Sequence, residues 1–233
     1  MNKSIKWGLF YGVFSVIFLI TVYWGSRAVT VISETRPVQH GHTIILDAGH
    51  GGIDGGATSC TGRLESSYNL EISQRLNDLL TFLGYHTVMI RSTDISVYTS
   101  GETIAQKKVS DLKERVRIVN ETDNAFLISI HQNHFSDKRY SGAQVFYPNH
   151  GESEAFAKQL QASFVKNLNP GSRRAAKKSE GIYLMENVNC TAVLVECGFL
   201  SNLSEASKLS DKIYQQKLCG IIATELAQNL SNT

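Results

Sequence analysis

Three short runs of this chain are apolar almost without a break: Thr43-Ile44-Ile45-Leu46, Ala125-Phe126-Leu127-Ile128-Ser129-Ile130 and Ala192-Val193-Leu194-Val195. A strand with one face in water alternates polar and apolar residues, whereas a strand covered on both faces has no need to. The runs therefore predict strands at the centre of a largely parallel sheet. Between them the period of the apolar positions changes. Leu64, Tyr68, Ile72, Leu76, Leu79, Leu80 and Leu83 mark a stripe at helical spacing that Gly84 terminates, and Leu112, Val116 and Val119 mark another. Strand and helix in alternation predict one α/β domain of three layers, a twisted, mostly parallel sheet flanked by helices, with sites beyond the carboxyl ends of the strands. Further on, Asn202-x-x-Glu205 and Asp211 read as helix starts, and Leu218, Ile221, Ile222 and Leu226 as a core-facing stripe.

The N-terminus has a different pattern. No charged residue occurs from Trp7 to Ser26, and at about 1.5 Å per helical residue such a run crosses a hydrocarbon core of roughly 30 Å. Lys3 and Lys6 precede it, and Trp7 and Trp24 bracket it, as in a transmembrane anchor with a cytoplasmic N-terminus and the remainder outside. Ser26-Arg27-Ala28 carries the small residues of a signal-peptidase site, so a cleaved signal peptide is the competing reading. Either version exports the domain. The expected organisation is an anchor or signal peptide over 1–28, a tether over 29–42 that contains Pro37 and Gly41, and a catalytic domain over 43–230.

The residues just beyond each buried strand carry the chemistry. The first strand leads into Asp47-Ala48-Gly49-His50, the second ends at His131 and the third at Glu196, so three reactive side chains converge on one sheet edge. The loop from Gly49 to Gly56 is no dinucleotide turn, because Asp54 occupies the last Gly position of GxGxxG and no GKS or GKT follows. Its glycines let the backbone bend sharply and bring His50 inward. Catalytic zinc sites use three protein ligands of the His and carboxylate type and leave one position open. His50 and His131 supply two, and Glu65, at the start of the first long helix, is the best-placed third. Glu71 competes but lies further into the helix, where a solvent-facing charge is expected. His134 forms a His131-x-x-His134 pair and is read as a site-lining residue.

Composition narrows the alternatives. The 233 residues are 42% hydrophobic and 19% charged, enough for one sizeable core. The 23 Lys and Arg against 21 Asp and Glu leave +2, which argues against a nucleic-acid binder. Arg173, Arg174, Lys177 and Lys178 read as a solvated loop or helix face, with contact to an anionic polymer as a second reading. Cys60, Cys190, Cys197 and Cys219 form no CxxC pair and are expected to be mostly buried free thiols.

Taken together, Ile45 to Gly52 (ILDAGHGG), Ser129 to Asn133 (SIHQN) and Leu194 to Asn202 (LVECGFLSN) resemble the zinc N-acetylmuramoyl-L-alanine amidases of bacterial cell-wall turnover. The resemblance runs over roughly residues 43–230 in the family's order, and Ser141–Tyr147 and Gly181–Met185 look like the family's strand segments. The short chain and single anchor make it most similar to the germination-specific, spore-cortex branch of endospore-forming bacteria. The resemblance implies zinc bound by His50, Glu65 and His131, with Glu196 as catalytic acid. It also implies a peptidoglycan substrate, a location outside the membrane in the spore cortex space, a lipoprotein activator, and a deacetylase acting next to form muramic lactam. Three departures from the family stand out: Ala48 replaces a Pro, Ser-Ser rather than Lys-Asp follows Glu65, and His134 replaces a small residue.

The rivals each lack a feature. No GxSxG supports a serine esterase, and no HExxH supports the commonest zinc-peptidase helix. A zinc peptidase or deacetylase on another cell-wall amide would use the same ligands, and a non-catalytic wall-binding protein would keep the fold without turnover.

Overall fold

The computed structural model describes residues 16, 18, 20, 21 and 41–231. The four described positions before residue 41 are helical. The expected anchor and tether lie otherwise outside the described residues, among which no helix is long and apolar enough to cross a membrane.

Residues 41–231 lie in one compact α/β unit. In chain order its elements are β1 (Thr43–Ala48), α1 (Glu65–Phe82), β2 (His86–Met89), α2 (Ile104–Asn120), β3 (Ala125–Asn133), β4 (Gln144–Tyr147), α3 (Ser153–Asn167), β5 (Lys177–Lys178), α4 (Tyr183–Asn187), β6 (Thr191–Phe199), α5 (Leu203–Ser210) and α6 (Lys212–Ser231). The sheet has six strands in the order β2-β1-β3-β6-β4-β5. The three apolar runs are its central strands β1, β3 and β6, and they pair in parallel. The sheet is nevertheless mixed, because β4 runs antiparallel to β6. A four-residue strand carries too little pattern to reveal its direction in sequence.

Alternate residues of β1 explain the continuous apolar pattern. Ile44 and Leu46 join Tyr68, Ile72 and Leu76 of α1, Phe156 of α3 and Leu218 and Ile222 of α6 in one buried cluster. Ile45 joins Val119 of α2 and Leu184 and Met185 of α4 in another. Two clusters on opposite faces of one sheet are the expected three layers. Helix starts are equally local: the Asn202 side chain accepts from Glu205 N at the head of α5, and Asp211 Oδ1 accepts from Tyr214 N at the head of α6.

Two expectations need correction. Gly181–Met185 is no strand segment, since a short helix begins at Tyr183. The basic cluster is a loop at Arg173 and Arg174, as expected, but not at Lys177 and Lys178. Lys177 and Lys178 form the edge strand β5, while the Arg174 guanidinium lies 4.7 Å from the Phe199 ring centre and bonds Ser141 O. The four cysteines are free, with Cys197 and Cys219 buried, Cys190 partly buried and Cys60 exposed.

Candidate metal centre

At the carboxyl ends of β1 and β3, His50, Glu65 and His131 each offer one atom, and these atoms all lie within 4.8 Å of one another. His50 Nε2 is 3.3 Å and His131 Nδ1 3.1 Å from the same oxygen, Glu65 Oε1. The two rings meet nearly edge to face with centres 5.0 Å apart. Parallel strands in register place His131 beside Glu196, and Glu196 lines the same cleft, of about 340 Å³.

Each group is held by its surroundings. Glu65 opens α1, and its Oε2 accepts from Ala57 N at 2.9 Å while Oε1 accepts from Gln132 N at 3.2 Å. Asn69, one turn further on, donates to Gly49 O at 3.0 Å and accepts from Gln132 Nε2. His50 Nδ1 stands 2.8 Å from Asp54 Oδ2, an orientation that leaves Nε2 to face the cluster. Gly49 has no room for a side chain: a Cβ there would come within 2.2 Å of the His131 ring. The glycine loop thus serves His131 as well as the bend at His50.

His50 itself adopts φ 61°, a left-handed conformation that costs a non-glycine residue roughly 1 kcal/mol. Two buried arginines from other elements hold it. Arg115 of α2 donates to Ala48 O at 3.1 Å and to His50 O at 2.8 Å, and it pairs with Asp47 and Asp111. Arg91, just after β2, donates to Ala48 O at 2.7 Å, to Gly49 O at 3.0 Å and to Ser66 O at 3.0 Å. Three consecutive carbonyls are therefore fastened by two guanidinium forks. Sequence reasoning missed Arg91, Arg115 and Asn69, because only folding brings them to the loop, and it noted Asp54 within the loop without reading it as the partner of His50. A charged residue on the helix face of the apolar stripe was the one available signal, with Arg115 three residues after Leu112 and four before Val119.

Electrostatics fit the residues to a divalent cation. Burial alone would lower the His50 pKa, but the Glu65 and Asp54 carboxylates outweigh it and raise it to about 9. Burial opposes the ionised form of Glu65 too, yet the two histidines hold its carboxyl well below the usual range. The potential that favours an imidazolium here also favours a bound cation. Two imidazoles and one carboxylate are the donor set of catalytic zinc sites. Burial pushes Glu196 up to about 7, against the histidines and with Glu65. Its Oε2 is enclosed and, among the described residues, makes no hydrogen bond.

The other sequence candidates lie elsewhere. Glu71 pairs with Arg63 at 2.7 Å and with Arg75, as a solvent-facing charge. His134 is exposed and does not line the cleft, which corrects its reading as a site-lining residue. β3 ends at Asn133, and the chain after it turns to the surface.

The sequence relationships agree with the geometry. The family model for N-acetylmuramoyl-L-alanine amidases matches residues 44–228. The germination-specific N-acetylmuramoyl-L-alanine amidase of Bacillus subtilis is 37% identical over 225 residues, covering 95% of this chain and 93% of that protein. The CwlD amidase of Clostridioides difficile, solved in complex with the GerS lipoprotein, is 36% identical with a TM-score of 0.79, covering 82% of this chain and 100% of that one. An N-acetylmuramoyl-L-alanine amidase of Clostridium difficile 630 follows at 28% identity and a TM-score of 0.72, covering 84% and 100%. The match spans the sheet, the histidine-bearing strand ends and the cleft alike, so this chain belongs to the N-acetylmuramoyl-L-alanine amidase family.

Proposed function

We propose that this chain hydrolyses the amide between the lactyl group of N-acetylmuramic acid and L-alanine in peptidoglycan, with zinc held by His50, Glu65 and His131. The observation that carries this reading is the meeting of those three side chains, with His50, His131 and Glu196 lining one cleft, in a chain of this family. Zinc bound there would act as a Lewis acid toward the amide carbonyl and lower the pKa of water.

The protein's own part falls chiefly to Glu196. Burial favours the protonated form of Glu196 and so strengthens it as a proton acceptor beside the cluster. The Glu196 carboxylate, which lines the cleft, takes the proton of the attacking water. It then delivers that proton to the departing alanine nitrogen, work commonly worth about 10²- to 10⁴-fold in rate. The Asp54 carboxylate keeps the His50 ring oriented, and the arginine-held carbonyls keep the loop from relaxing.

The biological setting is also a proposal. Similarity to the germination-specific amidase of Bacillus subtilis supports action on spore cortex before muramic lactam formation. The complex of the Clostridioides difficile relative with a lipoprotein supports a lipoprotein partner. The uncharged run from Trp7 to Ser26 supports export, with residues 43–230 outside the membrane as the catalytic domain.

Mass spectrometry of cortex fragments digested by the purified protein, with and without chelator, tests the reaction and the metal together. Stem peptides with a free alanine amine, released only without chelator, are the expected products. Cleavage within the stem, or release indifferent to chelator, overturns the reading.

A further inference from the structure

One wall of the cleft carries two cations that the metal-centre chemistry leaves unused. Lys107 and Lys108 of α2 both line it, together with Ile53, Leu112 and Tyr183. The carboxylates nearby are matched by other groups. Asp47 is met by Arg115 and by Ser129 Oγ at 2.6 Å, and Asp111 by Arg115 and by Val97 N at 2.6 Å. Asp54 shares one oxygen with His50 and the other with Lys108, whose Nζ lies 2.8 Å from Oδ1. An ammonium has three donors, and that pair uses one. Lys107 faces the Tyr98 ring at 5.2 Å and has no carboxylate partner among the described residues.

We infer that Lys107 and Lys108 form a carboxylate subsite, which reads the acidic residue two positions along the peptide from the scissile amide. This rests on the amidase reading and adds to it a choice among stems. Distances support the position. Lys108 Nζ reaches the cluster through two contacts of 2.8 Å, to Asp54 and from Asp54 to His50. With the widths of one carboxylate and one imidazole, that path is about 10 Å at full stretch, and two extended residues span about 7 Å. A carboxylate on the second stem residue therefore falls within reach of Lys108 when the amide lies at the His50 side of the cluster. An amidated second residue brings no charge and leaves an ammonium without its partner.

Two synthetic probes decide it: N-acetylmuramoyl-L-alanyl-D-isoglutamate and its D-isoglutamine counterpart, which differ only in that carboxylate. With the full zinc-loaded chain in detergent, kcat/KM is expected to favour the acid by about tenfold, as one charge-assisted contact provides. Lys108→Gln and the double variant with Lys107→Gln should shrink that ratio to under twofold through the acid alone. A variant that slows both probes equally shows that Lys108 acts only by holding Asp54 and His50, and overturns the subsite. Equal use of both probes by the wild type overturns it as well. Calorimetric binding of the two probes in chelator separates this failure from failure of the amidase reading. An acid preference there that disappears in Lys108→Gln supports the subsite even if neither probe is cleaved, and no preference sinks it.

Discussion

Arg115 Nη2 donates a 2.8 Å hydrogen bond to the carbonyl of His50, a residue 65 positions earlier in the chain. The bond joins the middle of α2 to the left-handed residue that carries one imidazole of the cluster. Arg115→Lys keeps a charge for Asp47 and Asp111 but loses the fork. Zinc affinity, measured by chelator competition, is expected to fall by about tenfold to a hundredfold, with a smaller change in Tm. Unchanged affinity would show that the loop holds itself.

Gly49→Ala tests the close approach to His131. A Cβ placed 2.2 Å from that ring must displace it, because β1 and β3 leave the backbone no freedom to yield. Metal analysis is expected to give well under one zinc per chain, in a protein whose circular dichroism still reports the α/β fold. Full zinc content with normal turnover would contradict the placement of His131.

Asp54→Ala removes the acceptor that orients His50. Loss of such a carboxylate beside a ligating imidazole typically costs 10- to 100-fold in metal affinity. Adding zinc in excess should restore most of kcat, since Asp54 touches no reacting atom in this scheme. Failure of that rescue would give Asp54 a direct part in the reaction.

Glu196→Gln replaces the proton carrier by an isosteric amide. Zinc binding is expected to persist while kcat falls by at least 10²-fold. Turnover within a few-fold of the wild type would remove Glu196 from the mechanism.

Asp47 gives an acid-stability test. Burial opposes its ionisation, but Arg115 and Ser129 outweigh it and hold the carboxyl below its ordinary 3.8. The stability it contributes is therefore present above that value and lost as pH falls through the lower folded pKa. Asp47→Asn leaves Arg115 partly unmatched and should cost roughly 3 kcal/mol at pH 7. The gap between the two denaturation curves should narrow below pH ~4. A gap that stays constant to pH 2 would mean that the pair carries no such linkage.

What the sequence determined by itself was the part written in short-range pattern. Ile44 to Leu46, Phe126 to Ile130 and Val193 to Val195 announce strands covered on both faces, because burial of alternate side chains in opposite directions favours apolar residues at nearly every position, with Ser129 bonded to Asp47 as the exception. The strand ends then bring His50, His131 and Glu196 to one edge, and the start of α1 brings Glu65. The tertiary structure alone decided how these are held. Arg91, Arg115 and Asn69 act through backbone carbonyls of distant segments, partners that no residue spacing encodes. The reversed direction of β4 and the helix at Tyr183 depended likewise on contacts across the sheet. A hydrophobic period records which way a side chain must face, whereas a hydrogen bond between distant segments exists only once the core has packed and drawn them together.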